Sequence, residues 1–288
     1  MSSHQALLSK LQKKKLLVKA RNTGMQKGSR QSKRIGSSLE FSDYRIYQPG
    51  DDIRQIDWNV YGRTQKHYIK RFLDERELSI SIYLDGSSSM RKSPAKWELA
   101  KLIAASLSYI VLNNEDRLHF FSVSSSGVYP VKRKGSVYGK RTFMEIINLN
   151  QEAKTGEFMK SLSGVIRKGA QLSIIVTDGL ERLEEIESLF KKIAAFRREI
   201  WLIQVLSEDE LSPSYSGDVK LVDSETDTAV NVSMNPKLIA DYKFRLTEHN
   251  RKLKDICRKV GGQYLLVSDA RDVQSIIFHD FPKHRLTN

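Results

Sequence analysis

The stretch "LSISIYLDGSSSM", residues 78–90, decides the fold. Leu78, Ile80, Ile82 and Leu84 alternate with Ser79, Ser81 and Tyr83, a period of two that predicts a strand. That strand ends on one carboxylate, Asp85; the chain turns at Gly86 and three serines follow. Next comes "KSPAKWELAKLIAASLSYIVLNN" (92–114), whose apolar residues recur at three and four and whose Ser93-Pro94 pair is a helix opening. Asp85, Ser87 and Ser89 therefore belong to a loop between the carboxyl end of a strand and a helix. In open α/β sheets that is the crevice where ligands bind.

A second stretch repeats the arrangement. In "SIIVTDGLERLEE" (173–185) an apolar strand ends on Asp178, followed by Gly179 and a helix. Around these two, strands and helices alternate. Strands are expected at 78–84, 117–123, 128–132, 171–177, 199–207 and 262–268. Helices are expected at 94–112, 141–149, 157–168, 181–196 and 236–260, with a turn-rich excursion at 208–235 and a closing helix. This pattern predicts a doubly wound, mainly parallel α/β sheet covered on both faces. Two strands then deliver carboxylates to one sheet edge, beside the hydroxyls of Ser87 and Ser89. Hard oxygen donors of low total charge suit Mg²⁺ or Mn²⁺, with a coordination position left open for a partner's acidic side chain.

The chain has 288 residues, 40% of them hydrophobic, enough for one large domain or two modest ones. No apolar run is long enough to span a bilayer. The N-terminus lacks the apolar core of a signal peptide, and a lone cysteine, Cys257, excludes an intrachain disulfide. A reducing cytoplasm is the expected location. The net charge is +14, but ten Lys or Arg and no acidic residue precede Glu40, so the other 249 residues carry only +4 (38 basic minus 34 acidic). Residues 1–27 thus read as a basic arm, with Leu7, Leu8, Leu11 and Val18 on one helical face. Such an arm can lie on an anionic membrane as a peripheral contact, touch nucleic acid, meet an acidic partner or stay solvated. With no aromatic residue interleaved to stack bases, nucleic acid ranks lowest. The six histidines show no metal-ligand spacing and none is expected near the strand ends.

Residues 28–77 read as a small β-rich element with the turn Pro49-Gly50-Asp51-Asp52, and residues 78–288 as the main domain. In "PGDDIRQIDW", Asp51, Asp52, Arg54 and Asp57 are candidate interaction residues or parts of a structural Asp–Arg pair, and Trp58 and Tyr61 are expected to pack.

These motifs resemble a known family. "DGSSS" (85–89) and "TDG" (177–179) resemble the metal-ion-dependent adhesion site of von Willebrand factor type A domains. That resemblance implies direct metal contacts from Ser87 and Ser89, and contacts through water from Asp85 and Asp178. It also implies a threonine from an intervening loop, for which Thr155 is the positional match and Thr142 the fallback. "EFSDYRIYQPGDDIRQIDWNVYGRTQKHYIKRFLDERE" (40–77) resembles the bacterial domain-of-unknown-function family fifty-eight, which couples such a segment to a von Willebrand type A-like domain. Its genes commonly accompany those of MoxR-type AAA+ ATPases, which implies such an ATPase as partner. The expected function is a non-enzymatic, metal-dependent protein-interaction module. The alternative is a metal-dependent phosphohydrolase with Asp85 as nucleophile, though Ser87 stands where that chemistry places its general acid.

Overall fold

In the computed structural model, Ser79–Asp85 form β3, the strand read from the sequence, at the middle of a six-stranded sheet. The residues described are 2–18, 40–73, 77–124, 127–150, 157–166, 169–196, 198–214, 217–222 and 229–288. The other sheet strands are β4 (Arg117–Ser124), β5 (Gly127–Lys134), β6 (Leu172–Thr177), β7 (Glu199–Leu206) and β10 (Gln263–Ser268). Their order in space is β10-β7-β6-β3-β4-β5, and every pair is parallel except β4–β5. The chain steps outward from β3 through β4 to β5, then returns to the other side of β3 and continues through β6 and β7 to β10. This is a doubly wound α/β fold, and its topological switch point lies between β3 and β6.

Alternation along the strands builds two cores. Ile80, Ile82 and Leu84 face one layer, with Ile103, Leu107 and Ile110 of α4 (Pro94–Asn113). Tyr83, Ile175 and Leu202 face the other, with Phe158 of α6 (Phe158–Ser163), Phe190 of α7 (Leu183–Ala194) and Leu253 of α9 (Pro236–Lys259). Both faces of the central strands are buried, so that even Ser81 and Ser173, on the side of Tyr83 and Ile175, are fully inside. The helix expected at 157–168 closes early, at Ser163.

The N-terminal arm needs correction. Residues 2–18 cluster with 78–288 as one compact unit. Leu7, Leu8 and Leu11 of α1 (Ser2–Leu11), with Leu16 and Val18, lie in the same core as β3. Leu16 pairs with Thr287, and Lys15 N–H donates to Asn288 Oδ1 at 2.8 Å. The apolar face assigned to a membrane or partner is therefore covered by the protein itself. An amphipathic cationic helix carries the same sequence pattern in either setting.

The "turn-rich excursion" is also more ordered than its composition suggests. It holds a short helix, α8 (Glu208–Leu211), and an antiparallel pair, β8 (Gly217–Val222) with β9 (Ala229–Met234). Among the described residues, no helix is long and apolar enough to cross a membrane.

Residues 40–73 belong to a second compact unit. In it β1 (Glu40–Ile46) pairs antiparallel with β2 (Tyr68–Leu73). Between them runs α2 (Trp58–Thr64), which the β-rich reading did not foresee. Asp57 caps it, accepting from the N–H groups of Asn59 and Val60 at 3.0 and 3.3 Å. The helix stops at Gln65, whose φ of 57° is left-handed.

Candidate metal centre at the strand switch point

Asp85 and Asp178 leave adjacent parallel strands at the switch point, and both are buried, 2% and 3% exposed. The Asp85 loop is drawn tight: Gly86 N–H donates to Val123 O at 2.8 Å, and a Cβ at Gly86 would lie 3.2 Å from that same oxygen. Ser87 N–H donates to Asp85 Oδ1 at 2.8 Å, and Thr177 Oγ1 donates to Asp85 Oδ2 at 2.6 Å. Ser87 occupies the N-cap position of α3 (Ser88–Lys92), yet its side chain makes no capping hydrogen bond. Its Oγ lies instead 3.0 Å from Ser89 Oγ. Ser87 therefore does not act as a side-chain cap of this helix.

Asp178 sits in a network that the sequence did not announce. Lys96, in the first turn of α4, has a side chain 0% exposed; its Nζ donates to Asp178 Oδ2 at 3.1 Å and to Glu210 Oε1 at 2.8 Å. Glu210 is fixed in turn by a capping box with Ser207 at the end of β7. Asp178 Oδ1 accepts Leu180 N–H at 3.3 Å, and Asp178 O accepts Gln204 Nε2–H at 2.7 Å. Gly179 takes a φ of +62°, which lets the loop turn immediately after the carboxylate. His249 Nε2 lies 2.7 Å from Gly179 O, so a histidine does reach a strand end, contrary to expectation. On the Asp85 side, Arg91 Nε–H donates to Gly86 O at 3.1 Å and its guanidinium stacks 4.4 Å from the Trp97 ring.

The electrostatics follow from burial. Burial, then the charge of Asp178, pushes Asp85 up to about 8, against the bonds it accepts from Thr177 and Ser87. For Lys96, burial alone lowers the pKa, but Asp178 and Glu210 more than offset it and the ammonium is held above its ordinary range. Burial also raises Glu181 to about 7, while its carboxylate accepts from Phe158 and Met159 N–H and so ties the Asp178 loop to the start of α6. Cys257 is buried and its thiol is pushed up to about 12, consistent with a packed, unreactive residue.

The donor set fits a small hard cation. Two ligands at right angles about an ion with bonds of about 2.1 Å lie about 3.0 Å apart. The serine oxygens, hydrogen-bonded to each other, already stand 3.0 Å apart, so an ion could take both without moving them far. Among the described residues, no three His, Cys, Asp or Glu side chains converge on one point, so the candidate centre combines carboxylates with hydroxyls.

Other sequence candidates are placed elsewhere. Thr142 is fully buried on α5 (Gly139–Ile147) and accepts from Arg133 Nη1 at 2.9 Å, with Arg133 also paired to Glu145. It is bound into that cluster. Thr155 lies outside the described residues. In the second unit, Asp57 accepts from Tyr44 Oη at 3.0 Å and pairs with Lys70 at 3.1 Å, bonds that hold its carboxyl below the usual range. Asp51 pairs with Arg45 at 2.8 Å, and Asp52 caps the 3₁₀ turn Ile53–Gln55. Arg54 is the exposed partner of Asp52, at 3.8 Å. Two Asp–Arg pairs thus exist, Asp52 with Arg54 and, at shorter range, Asp51 with Arg45. Trp58 is 57% exposed, against the expectation that it packs, and its ring meets Tyr61 and His67 edge-on.

Lys96, Thr177 and Glu210 are the residues that sequence reading missed. Lys96 had a signal: it lies on the stripe Ala100, Ile103, Leu107, Ile110, so a charge stood on the core-facing side of α4. Glu210 had one too, the Ser-x-x-Glu of "SEDE" (207–210).

The uncharacterized proteins Mb1516 of Mycobacterium bovis and Rv1480 of Mycobacterium tuberculosis are each 26% identical over 274 residues, 92% of this chain and 86% of theirs. Among solved structures, the conserved hypothetical protein BatB from Bacteroides thetaiotaomicron is 15% identical, with a TM-score of 0.37 over 72% of this chain and 98% of that one. The SpRpn10 VWA domain is 11% identical, with a TM-score of 0.42 over 72% of this chain and 97% of that one. The model of the family described as "Protein of unknown function DUF58" matches residues 43–252, and the chain belongs to that family.

Proposed function

We propose that this protein is a non-enzymatic, cytoplasmic interaction module whose partner binds through a Mg²⁺ or Mn²⁺ ion held by Ser87, Ser89, Asp85 and Asp178. The observation that carries the reading is the convergence of two serine hydroxyls, hydrogen-bonded to each other at 3.0 Å, with a buried carboxylate at the switch point. Charge supports an acidic ligand. With a divalent ion bound and Asp85 ionised by it, the ion, Lys96 and Arg91 against Asp85, Asp178 and Glu210 leave one positive charge, which a carboxylate from outside neutralises. The von Willebrand type A resemblance points to protein binding. The genomic company implied by the family resemblance points to a MoxR-type AAA+ ATPase, in assembly or maturation of other proteins.

Phosphohydrolysis through Asp85 is the weaker reading. Both Asp85 oxygens already accept hydrogen bonds, and the general-acid position is a serine. The test is co-sedimentation of the purified protein with the purified MoxR-type ATPase of the same genome, in Mg²⁺ and in chelator. The module reading expects a complex in Mg²⁺ that chelator dissolves and that S87A/S89A does not form. Phosphate release from a phosphomonoester that vanishes in D85N would overturn it.

A further inference from the structure

We propose that Lys96 is a built-in counter-cation that competes with the divalent ion for Asp178, so that the site holds its ion loosely. The inference rests on the metal-site reading above and concerns how that site is regulated.

Lysines on helices ordinarily bury their stem and keep the ammonium in water. Lys96 does not: its side chain is 0% exposed and its Nζ is held by two carboxylates, at 2.8 and 3.1 Å. An ammonium taken from water is costly unless it is paired in this way. It donates and cannot accept, so it occupies the carboxylate edge an ion would use. Of the two Asp178 oxygens, Oδ2 is bonded to Lys96 and Oδ1 accepts from Leu180 at 3.3 Å. Ser93 fixes the start of α4, its Oγ accepting Lys96 N–H at 3.4 Å and donating to Asp269 at 3.2 Å. This fixes the backbone of Lys96 at the helix start, from which its side chain reaches Asp178 and Glu210. Ion affinity in oxygen sites follows the charge of the ligands. One ammonium against Asp178 lowers that charge, and Glu210 restores part of it.

This assigns opposite effects to two variants. Glu210→Gln keeps a residue that serves in a capping box, but it removes the second anion and leaves Lys96 wholly on Asp178. Lys96→Met with Glu210→Gln removes both charges together, leaves the net charge unchanged and frees Asp178. The experiment is calorimetric titration of the full chain with Mn²⁺, with circular dichroism confirming each fold. We expect E210Q to bind about tenfold more weakly than the parent and K96M/E210Q about tenfold more tightly. A parent that binds immeasurably while K96M/E210Q binds also supports the proposal. A folded K96M/E210Q that binds no tighter than a binding parent overturns it and leaves Lys96 a structural residue. Should the double variant fail to fold, E210Q decides: weaker binding supports the proposal, and unchanged or tighter binding overturns it. If neither the parent nor any folded variant binds Mn²⁺, the metal-site reading falls and this inference with it.

Discussion

Replacing Asp85 with Asn isolates one buried carboxyl and makes a signed prediction. In the unfolded chain an aspartate ionises near about 3.9. In the fold, burial and Asp178 raise Asp85 to about 8. Between these values the folded protein holds a proton that the unfolded chain has lost, so stability is fully present below about pH 4 and falls as pH rises toward 8. The slope is about 1.4 kcal/mol per pH unit. From pH 5 to pH 7 the metal-free protein should lose about 2–3 kcal/mol through this group alone. For a domain of this size that is a fall in Tm of roughly 5–10 °C. Glu181, raised to about 7, slopes the same way, so the quantity to measure is the difference between parent and D85N. The assay is urea unfolding in chelator at pH 5, 6 and 7, followed by circular dichroism. Because a metal ligand must be ionised, added Mg²⁺ should stabilise the parent more at pH 8 than at pH 6. Parallel pH profiles for parent and D85N would show that Asp85 is not protonated in the fold over this range.

Thr177→Val removes the 2.6 Å bond to Asp85 and the acceptor for Gly179 N–H, and should cost about 1–3 kcal/mol in urea unfolding. A change within error would mean that Thr177 does not support Asp85. Leu11→Ala should cost about 2–5 kcal/mol, since Leu11 is fully buried in the core of the sheet domain. A dispensable arm would instead leave the urea midpoint unmoved.

The legible parts of the molecule were those written in local periodicity. The alternation at 78–84, the Ser93-Pro94 helix opening and the two strand-end aspartates each depend on neighbours within a few residues. Together they predict that two strands end on carboxylates at one sheet edge, while the order that makes β3 and β6 neighbours came from the structure. What stayed hidden depends on partners far along the chain. Lys96 meets Asp178 and Glu210, 82 and 114 residues away, and a lysine in a helix reads as solvated until its partners are known. Leu7 and Leu11 look the same whether lipid or a sheet-covering helix receives them. The pair β8–β9 hid behind turn-forming residues. Asp51 pairs with Arg45 of β1, a residue outside the stretch in which the sequence reading looked for an Asp–Arg pair.

The most direct test of the metal centre is an anomalous difference map from crystals of the parent protein soaked in Mn²⁺. The account predicts a single strong peak at the carboxyl ends of β3 and β6, about 2.1–2.2 Å from the Oγ atoms of Ser87 and Ser89. The same soak of S87A/S89A crystals should leave that position empty. A well-occupied Mn²⁺ elsewhere on the parent molecule, with no density between those two serines, would contradict it.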